Sequence, residues 1–206
     1  MINLSKIAEI KTGLVLSRKK AEAHSPFEYL YKVVSLKSFS ENTVFEDSFV
    51  DEFISNEQIN EDYKVSRGDI LMRLREPNFA VYIDKEYRDL VYTSLMVRIR
   101  VSSDKFDPHF VAHYLNGRAV KRALAPDVSG TAIAMIGVSS INNLKIPFVN
   151  LQIQNKIVKY LNLVRQESEI LQNLTAAKQK YHKSIFENLI KKEENQNAKD
   201  HTRDHK

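Results

Sequence analysis

His109 and His113 stand four residues apart, a spacing that puts two imidazoles on one face of a helix and begins many zinc sites. No Glu lies between them and no third ligand follows at a metal-binding interval, so the pair reads as an ordinary helix face. His201 and His205 repeat the interval in a polar stretch with no scaffold to hold it. A metal-dependent nuclease needs acidic residues clustered beside a lysine. Asp84-Lys85-Glu86 and Glu61-Asp62-Tyr63-Lys64 come nearest, but both read as turns between strands. Five dispersed glycines supply no cofactor loop of the kind a methyltransferase uses, and the absence of cysteine excludes thiolate zinc sites, disulfides and cysteine nucleophiles. These features predict a chain with no catalysis of its own, no cofactor and no metal.

Binding chemistry remains. Polar side chains that can grip phosphates or read base edges gather in four segments: Arg18, Lys19 and Lys20; Lys37, Ser38, Ser40 and Asn42; Arg73, Arg75 and Asn78; and Ser129 and Thr131, which flank Gly130. Arg and Lys can pair bidentately with guanine and Asn with adenine, whereas contacts to phosphate only set position. The same residue types fill any solvated loop. A formal charge of +5, from 31 basic and 26 acidic residues, leans toward a polyanionic partner but describes a mixed surface. Residue types therefore leave three readings open: a nucleic-acid reader, a protein–protein interaction module with a coiled-coil helix, and an enzyme whose site has no familiar signature.

The elements that must carry these residues are short. Leu4, Ile7, Ala8 and Ile10 predict a helix or strand ending at Gly13, the first glycine. YLYKVVSL and TVFEDSFV are predicted as strands joined by a loop; Arg67-Gly68 predicts a turn, with a buried strand from Ile70 to Leu74 after it. AVYID and LVYTSLMVRIRV continue the strands. Asp107-Pro108 predicts a helix start, Asp as cap and Pro in the first turn, running to about Asn116. A second helical piece, Arg118 to Ala125, is expected to stop at Pro126, and short strands and turns return around Gly130 and Gly137.

After Pro147 the pattern changes. From Leu151 to Lys192 there is no Pro or Gly, and apolar residues recur every three or four positions, which predicts one long amphipathic helix with a break conceivable near Ser168. Some 40 residues at 1.5 Å each span roughly 60 Å, more than a small domain can cover, so the stripe calls for a partner helix. Residues 193–206 are polar and predict a disordered tail. There is no run apolar enough to span a membrane and no secretory pattern at the amino terminus, so a soluble, cytoplasmic protein is expected.

Three pieces in this order resemble the target-recognition domain of type I restriction-modification specificity subunits. LSKIAEIKTG is similar to the family's opening segment, SRGDILM to its Gly-Asp-Ile-Leu turn and strand, and VSGTAIAMIGVSSINNLKIPFVNLQIQNKIVKYL to the Gly-Thr loop that leads through a strand and a Gln-Ile pair into the long helix. Two positions depart from the pattern: Pro147-Phe148-Val149 keeps a single proline, and Ile153 replaces the acidic residue that commonly precedes Gln154.

The resemblance implies an α+β fold: one mixed target-recognition domain of short strands and helices over residues 1–150, a long dimerisation and spacer helix over 151–192, then the tail. Full-length relatives carry two such domains and two helices, so the chain resembles a half-length form. The resemblance further implies a non-catalytic partner of double-stranded DNA and of methyltransferase and restriction subunits, reading one half of a bipartite site per protomer. Two copies would pair as a homodimer through Ile157, Leu161, Val164, Leu171, Leu174, Tyr181 and Ile185, and a two-fold reader implies a palindromic split target.

Overall fold

The computed structural model describes residues 1–20, 29–39, 43–75, 78–128 and 135–201. Its central element is a four-stranded antiparallel sheet in the order β2 (Ala8–Thr12), β8 (Met96–Val101), β5 (Ile70–Arg73), β6 (Ala80–Tyr82). A three-stranded sheet, β4 (Asp51–Ser55), β3 (Tyr29–Val33), β7 (Leu90–Val91), joins β3 antiparallel to β4 and parallel to β7. β1 (Ile2–Asn3) pairs with β9 (Lys145–Ile146). Four helices complete the chain: α1 (Pro108–Leu115), α2 (Arg118–Val128), α3 (Val138–Asn142) and α4 (Leu151–His201). The chain divides into two compact units, Met1–Val158 and Lys159–Lys206, so the first two turns of α4 belong to the head.

β5 is buried on both faces, which is why its ILM reads as a continuous apolar run rather than an alternation. Ile70, Met72, Val97 and Ile99 face a core shared with α1, α2 and α3, where Phe110, Leu115, Val120, Leu124 and Ile141 pack. Leu71, Val81 and Met96 face a second core with Val34, Phe39, Phe45 and Tyr92.

Each motif of the resemblance has a structural job. Gly13 is bare because a Cβ there would sit 2.4 Å from the Thr93 carbonyl oxygen and 2.5 Å from that of Tyr92. Gly68 takes φ +92, the left-handed turn that launches β5. Asp69, 1% exposed, accepts two bonds from the Arg100 guanidinium at 2.7 and 2.8 Å and one from the Ser66 amide at 2.8 Å. Gln154, fully buried, accepts from the Asp107 amide at 2.9 Å and donates to the carbonyls of Lys105 at 2.9 Å and Val149 at 2.6 Å. It thereby fastens the start of α4 to the loop before α1.

Several sequence expectations are corrected. TVFEDSFV is not a named strand: Asp47–Phe49 forms a 3-10 turn, Val44 and Phe45 form isolated bridges to Tyr82 and Phe39, and the strand is the following DEFIS of β4. The short polar pair Asp47-Ser48 competes for backbone bonds and favours the turn. α2 runs through Pro126, because a proline two residues from a helix end forfeits only the bond its nitrogen would make to the Arg122 carbonyl. Val138–Asn142, expected among strands, is helical, with Gly137 as its extended N-cap. α4 is unbroken at Ser168, whose hydroxyl donates to the Val164 carbonyl at 3.0 Å. The helix also continues past Lys192 to His201, where disorder had been predicted, since no Gly or Pro interrupts it.

Candidate nucleic-acid interface

The registers of the four-stranded sheet set Thr12 opposite Val97, Arg73 opposite Met96 and Met72 opposite Ala80, so β2, β5, β6 and β8 present one common end. Two of the four polar segments depart from it. The Gly13 amide donates to Met96 O at 3.1 Å and Ser94 N to Leu14 O at 2.8 Å, which brings the segment carrying Arg18, Lys19 and Lys20 onto the β7–β8 turn. At β5, Arg73 N donates to Phe79 O at 3.0 Å and Leu74 N to Leu95 O at 2.9 Å, setting the Arg73–Asn78 segment beside that turn. Ile136 N donates to Leu74 O at 2.8 Å, which brings the chain just before α3 to the same place. Ser129, Thr131, Ser40 and Asn42 themselves lie outside the described residues.

The Lys37 segment goes elsewhere. Thr43 O accepts from Tyr82 N at 3.0 Å and Val44 bridges Tyr82, so the chain after Lys37 and Ser38 runs along the outer edge of β6. Thr43, with φ +60, lies 3.1 Å from His113 Nε2 through its hydroxyl. His113 stacks on His109 with ring centroids 5.1 Å apart, and His109 on Tyr82 at 4.6 Å. The histidine pair is therefore a packed aromatic column. Among the described residues no group of three His, Cys, Asp or Glu side chains could hold a metal.

The individual candidates differ in access. Arg18, Lys20 and Lys37 are exposed. Lys19 is ion-paired with Glu57, and its segment is pinned by the bond from Asn56 N to Lys19 O at 3.0 Å. Arg73 and Arg75 are half-buried. Ser38 is corrected outright: it is 0% exposed, held under the bridge between Phe39 and Phe45, and cannot reach a groove. Asn78 is buried as well, at 8% exposure, and neither its Nδ2 nor Arg75 Nε has a hydrogen-bond partner among the described residues. Both atoms are also closed to solvent.

The acidic clusters are ordinary ion-paired turns. Asp62 meets Lys11 at 2.9 Å, and Lys64 meets Asp89 at 2.8 Å and Glu61 at 2.6 Å. The hydrogen bonds from Lys64 to Asp89 and Glu61 push its pKa up to about 12. Lys85 holds Asp47 at 3.1 Å, and that bond lowers the Asp47 pKa. The lysines of both clusters are thus each held by a carboxylate of the fold.

On α4, Ile157 packs on the head's own core and Leu161 is half-buried. Val164, Leu171, Leu174, Tyr181 and Ile185 are 39–65% exposed, and Leu163, Ile170, Phe186, Leu189 and Ile190, which the sequence stripe did not include as interface, are exposed too. At about 100° per residue most of these fall in an arc wider than a two-helix seam requires. Among the described residues no helix is long and apolar enough to cross a membrane.

Residues 1–179 match the family model for the type I restriction modification DNA specificity domain. The fold is similar to the HsdS subunit from Thermoanaerobacter tengcongensis, at 14% identity and a TM-score of 0.64, covering 87% of this chain and 45% of that one. A chain from a structure concerned with complex assembly and conformational transition of the type I R-M system gives 17% identity and a TM-score of 0.55, covering 85% of this chain and 40% of that one. The type I restriction-modification S subunit from M. genitalium gives 16% and 0.52, covering 84% and 40%. This chain thus spans less than half the length of each of these structures. No curated protein matches it. With the family model covering most of its length, the chain belongs to the type I restriction modification DNA specificity domain family.

Proposed function

We propose that the chain is a non-catalytic DNA reader that recognises one half of a bipartite site and directs methyltransferase and restriction subunits to it. The observation that carries the reading is the convergence of two polar segments, those of Arg18 and of Arg73 and Arg75, at one end of the four-stranded sheet in a chain of this family. Arg18, Lys20, Arg73 and Arg75 are the first residues to test for base or phosphate contact, with Lys37 reaching the duplex from the edge of β6.

Pairing of two copies through α4 supplies the second half-site. Its support is the row of exposed apolar residues from Val164 to Ile190, which in a single chain stays in contact with water. A dimer of identical readers requires a two-fold target, a split palindrome whose spacer is fixed by the helices. Light scattering on the full chain and on a variant truncated after Ser168 tests the pairing, and footprinting of the assembled complex tests the symmetry. A dimer that becomes a monomer on truncation, with two equivalent half-sites protected, is the expected result. One asymmetric site per dimer, or binding that ignores salt, would overturn the reading.

A further inference from the structure

We infer that the exposed face of α2 formed by Arg118, Lys121 and Arg122 is a phosphate-contacting surface that seats the head on the backbone of duplex DNA. The inference rests on the DNA-reading assignment above and adds residues that it does not use.

The spacing i, i+3, i+4 puts all three cations on one face of the helix, opposite Val120 and Leu124, each 2% exposed in the core. All three are exposed. Among the described residues none of the three has an acidic partner, and α2 has no acidic residue in its first turn. By contrast Lys11, Lys19, Lys64, Lys85 and Arg100 each rest on a carboxylate. Three like charges on adjacent rows repel, and they occupy the end of the helix where its dipole is already positive. The free protein thus holds an arrangement that an anion would relieve.

Its place in the fold selects the anion. Lys121 Nζ lies 5.2 Å from the centre of the Phe79 ring, and Phe79 O receives the bond from Arg73 N that closes the Arg73–Asn78 segment. The side chain of Asn116, just before α2, clamps Ala80 with two bonds, to its carbonyl at 2.8 Å and from its amide at 2.7 Å. The basic face therefore adjoins the sheet end from which the reading segments depart. Cations about 5–6 Å apart on neighbouring helical rows can engage successive phosphates of one strand. Such contacts set register and orientation and carry no sequence information.

The test is the salt dependence of DNA binding by the full chain, in its assembled complex, measured by fluorescence anisotropy on a random-sequence duplex and on the target duplex. Replacing all three cations, Arg118→Gln, Lys121→Gln and Arg122→Gln, should make the slope of log K against log salt shallower by about 2.7, at about 0.9 per phosphate contact, with equal loss on both duplexes. A charge-matched control, Lys6→Gln, Arg88→Gln and Lys105→Gln, removes three exposed cations elsewhere and should shift the slope by less than about 1. The double variant Arg118→Gln/Arg122→Gln spares the Lys121–Phe79 contact. It should lose about 1.8 of slope while melting no lower than the parent, because it relieves repulsion. An unchanged slope in the triple variant, an equal shift in the control, or a fall in melting temperature of the double variant without loss of slope would overturn the inference and leave the DNA-reading assignment standing. A parent complex that binds neither duplex would overturn both.

Discussion

Replacing Gln154 with Leu tests whether the motif at the start of α4 is a structural clamp. The side chain is fully buried and makes three bonds, one accepted from the Asp107 amide and two donated to the carbonyls of Lys105 and Val149. Leucine has nearly the same volume, so no cavity opens, but one buried amide and two carbonyls lose their partner. An unsatisfied buried donor costs about 1–3 kcal/mol, and each carbonyl, with a second lone pair and the exposed Lys105 beside it, costs less. The sum is about 3–4 kcal/mol, a large part of the stability of an ordinary domain. For a compact unit the size of Met1–Val158 this corresponds to a fall in melting temperature of roughly 10 °C. Urea unfolding followed by near-ultraviolet circular dichroism of the tyrosines reports on the head, whereas far-ultraviolet signal is dominated by α4. Native-state hydrogen exchange should show the Asp107 amide losing protection first. Gln154→Glu should be worse than Leu, since it turns a carboxylate oxygen toward the two carbonyls. A loss below about 1 kcal/mol for Leu, or a Glu variant milder than Leu, would refute the clamp.

Gly13→Ala should destabilise by more than about 2 kcal/mol, because the new methyl meets two backbone carbonyls that cannot move without breaking the β7–β8 turn; thermal melting checks it. In alkali, burial raises the pKa of Tyr92 to about 12, and burial with the nearby Asp47 charge does the same for Tyr87. Between pH 10 and about 12 the unfolded phenols are ionised while the folded ones hold their protons, so stability is intact below pH 10 and falls across that window. Tyrosinate absorbance should therefore show these rings ionising together with the loss of fold, and a smooth titration of all nine tyrosines near pH 10 with the fold intact would contradict it. Leu171→Asp with Leu174→Asp should convert the dimer to a monomer by light scattering while leaving the melting of the head unchanged, since both residues are about half exposed in the single chain.

The sequence conveyed the long helix best, because 42 residues without Gly or Pro admit few alternatives, and it conveyed the start of α1, where Asp107 caps Phe110 N at 3.0 Å. It conveyed poorly whatever depends on competition between nearly equal local choices. TVFEDSFV has strand composition, yet the strand formed one segment later; Pro126 looked like a stop and was absorbed by the last turn of α2. Burial of single polar residues was invisible: Ser38 sits in a polar run and is nevertheless in the core, because the Phe39–Phe45 bridge folds the segment over it. The basic face of α2 was readable from the 118, 121, 122 spacing, but attention to loops passed over it.

Three described residues in the pieces that resemble the family are ones the fold needs. Gly13 allows two strands' loops to approach, Asp69 ties the β5 turn to Arg100 on β8, and Gln154 fixes the first turn of α4. None of the three is free to read a base. The segments proposed to do so, around Arg18 and Arg75, carry no recognisable pattern, as the proposed reading requires: a constant frame would hold loops whose side chains can change without unfolding it. On the proposed function, family membership and target sequence would be written in different residues. A substitution in the frame should reduce stability for every target alike, whereas a substitution at Arg18 or Arg75 should change which duplex is bound and leave the melting temperature in place.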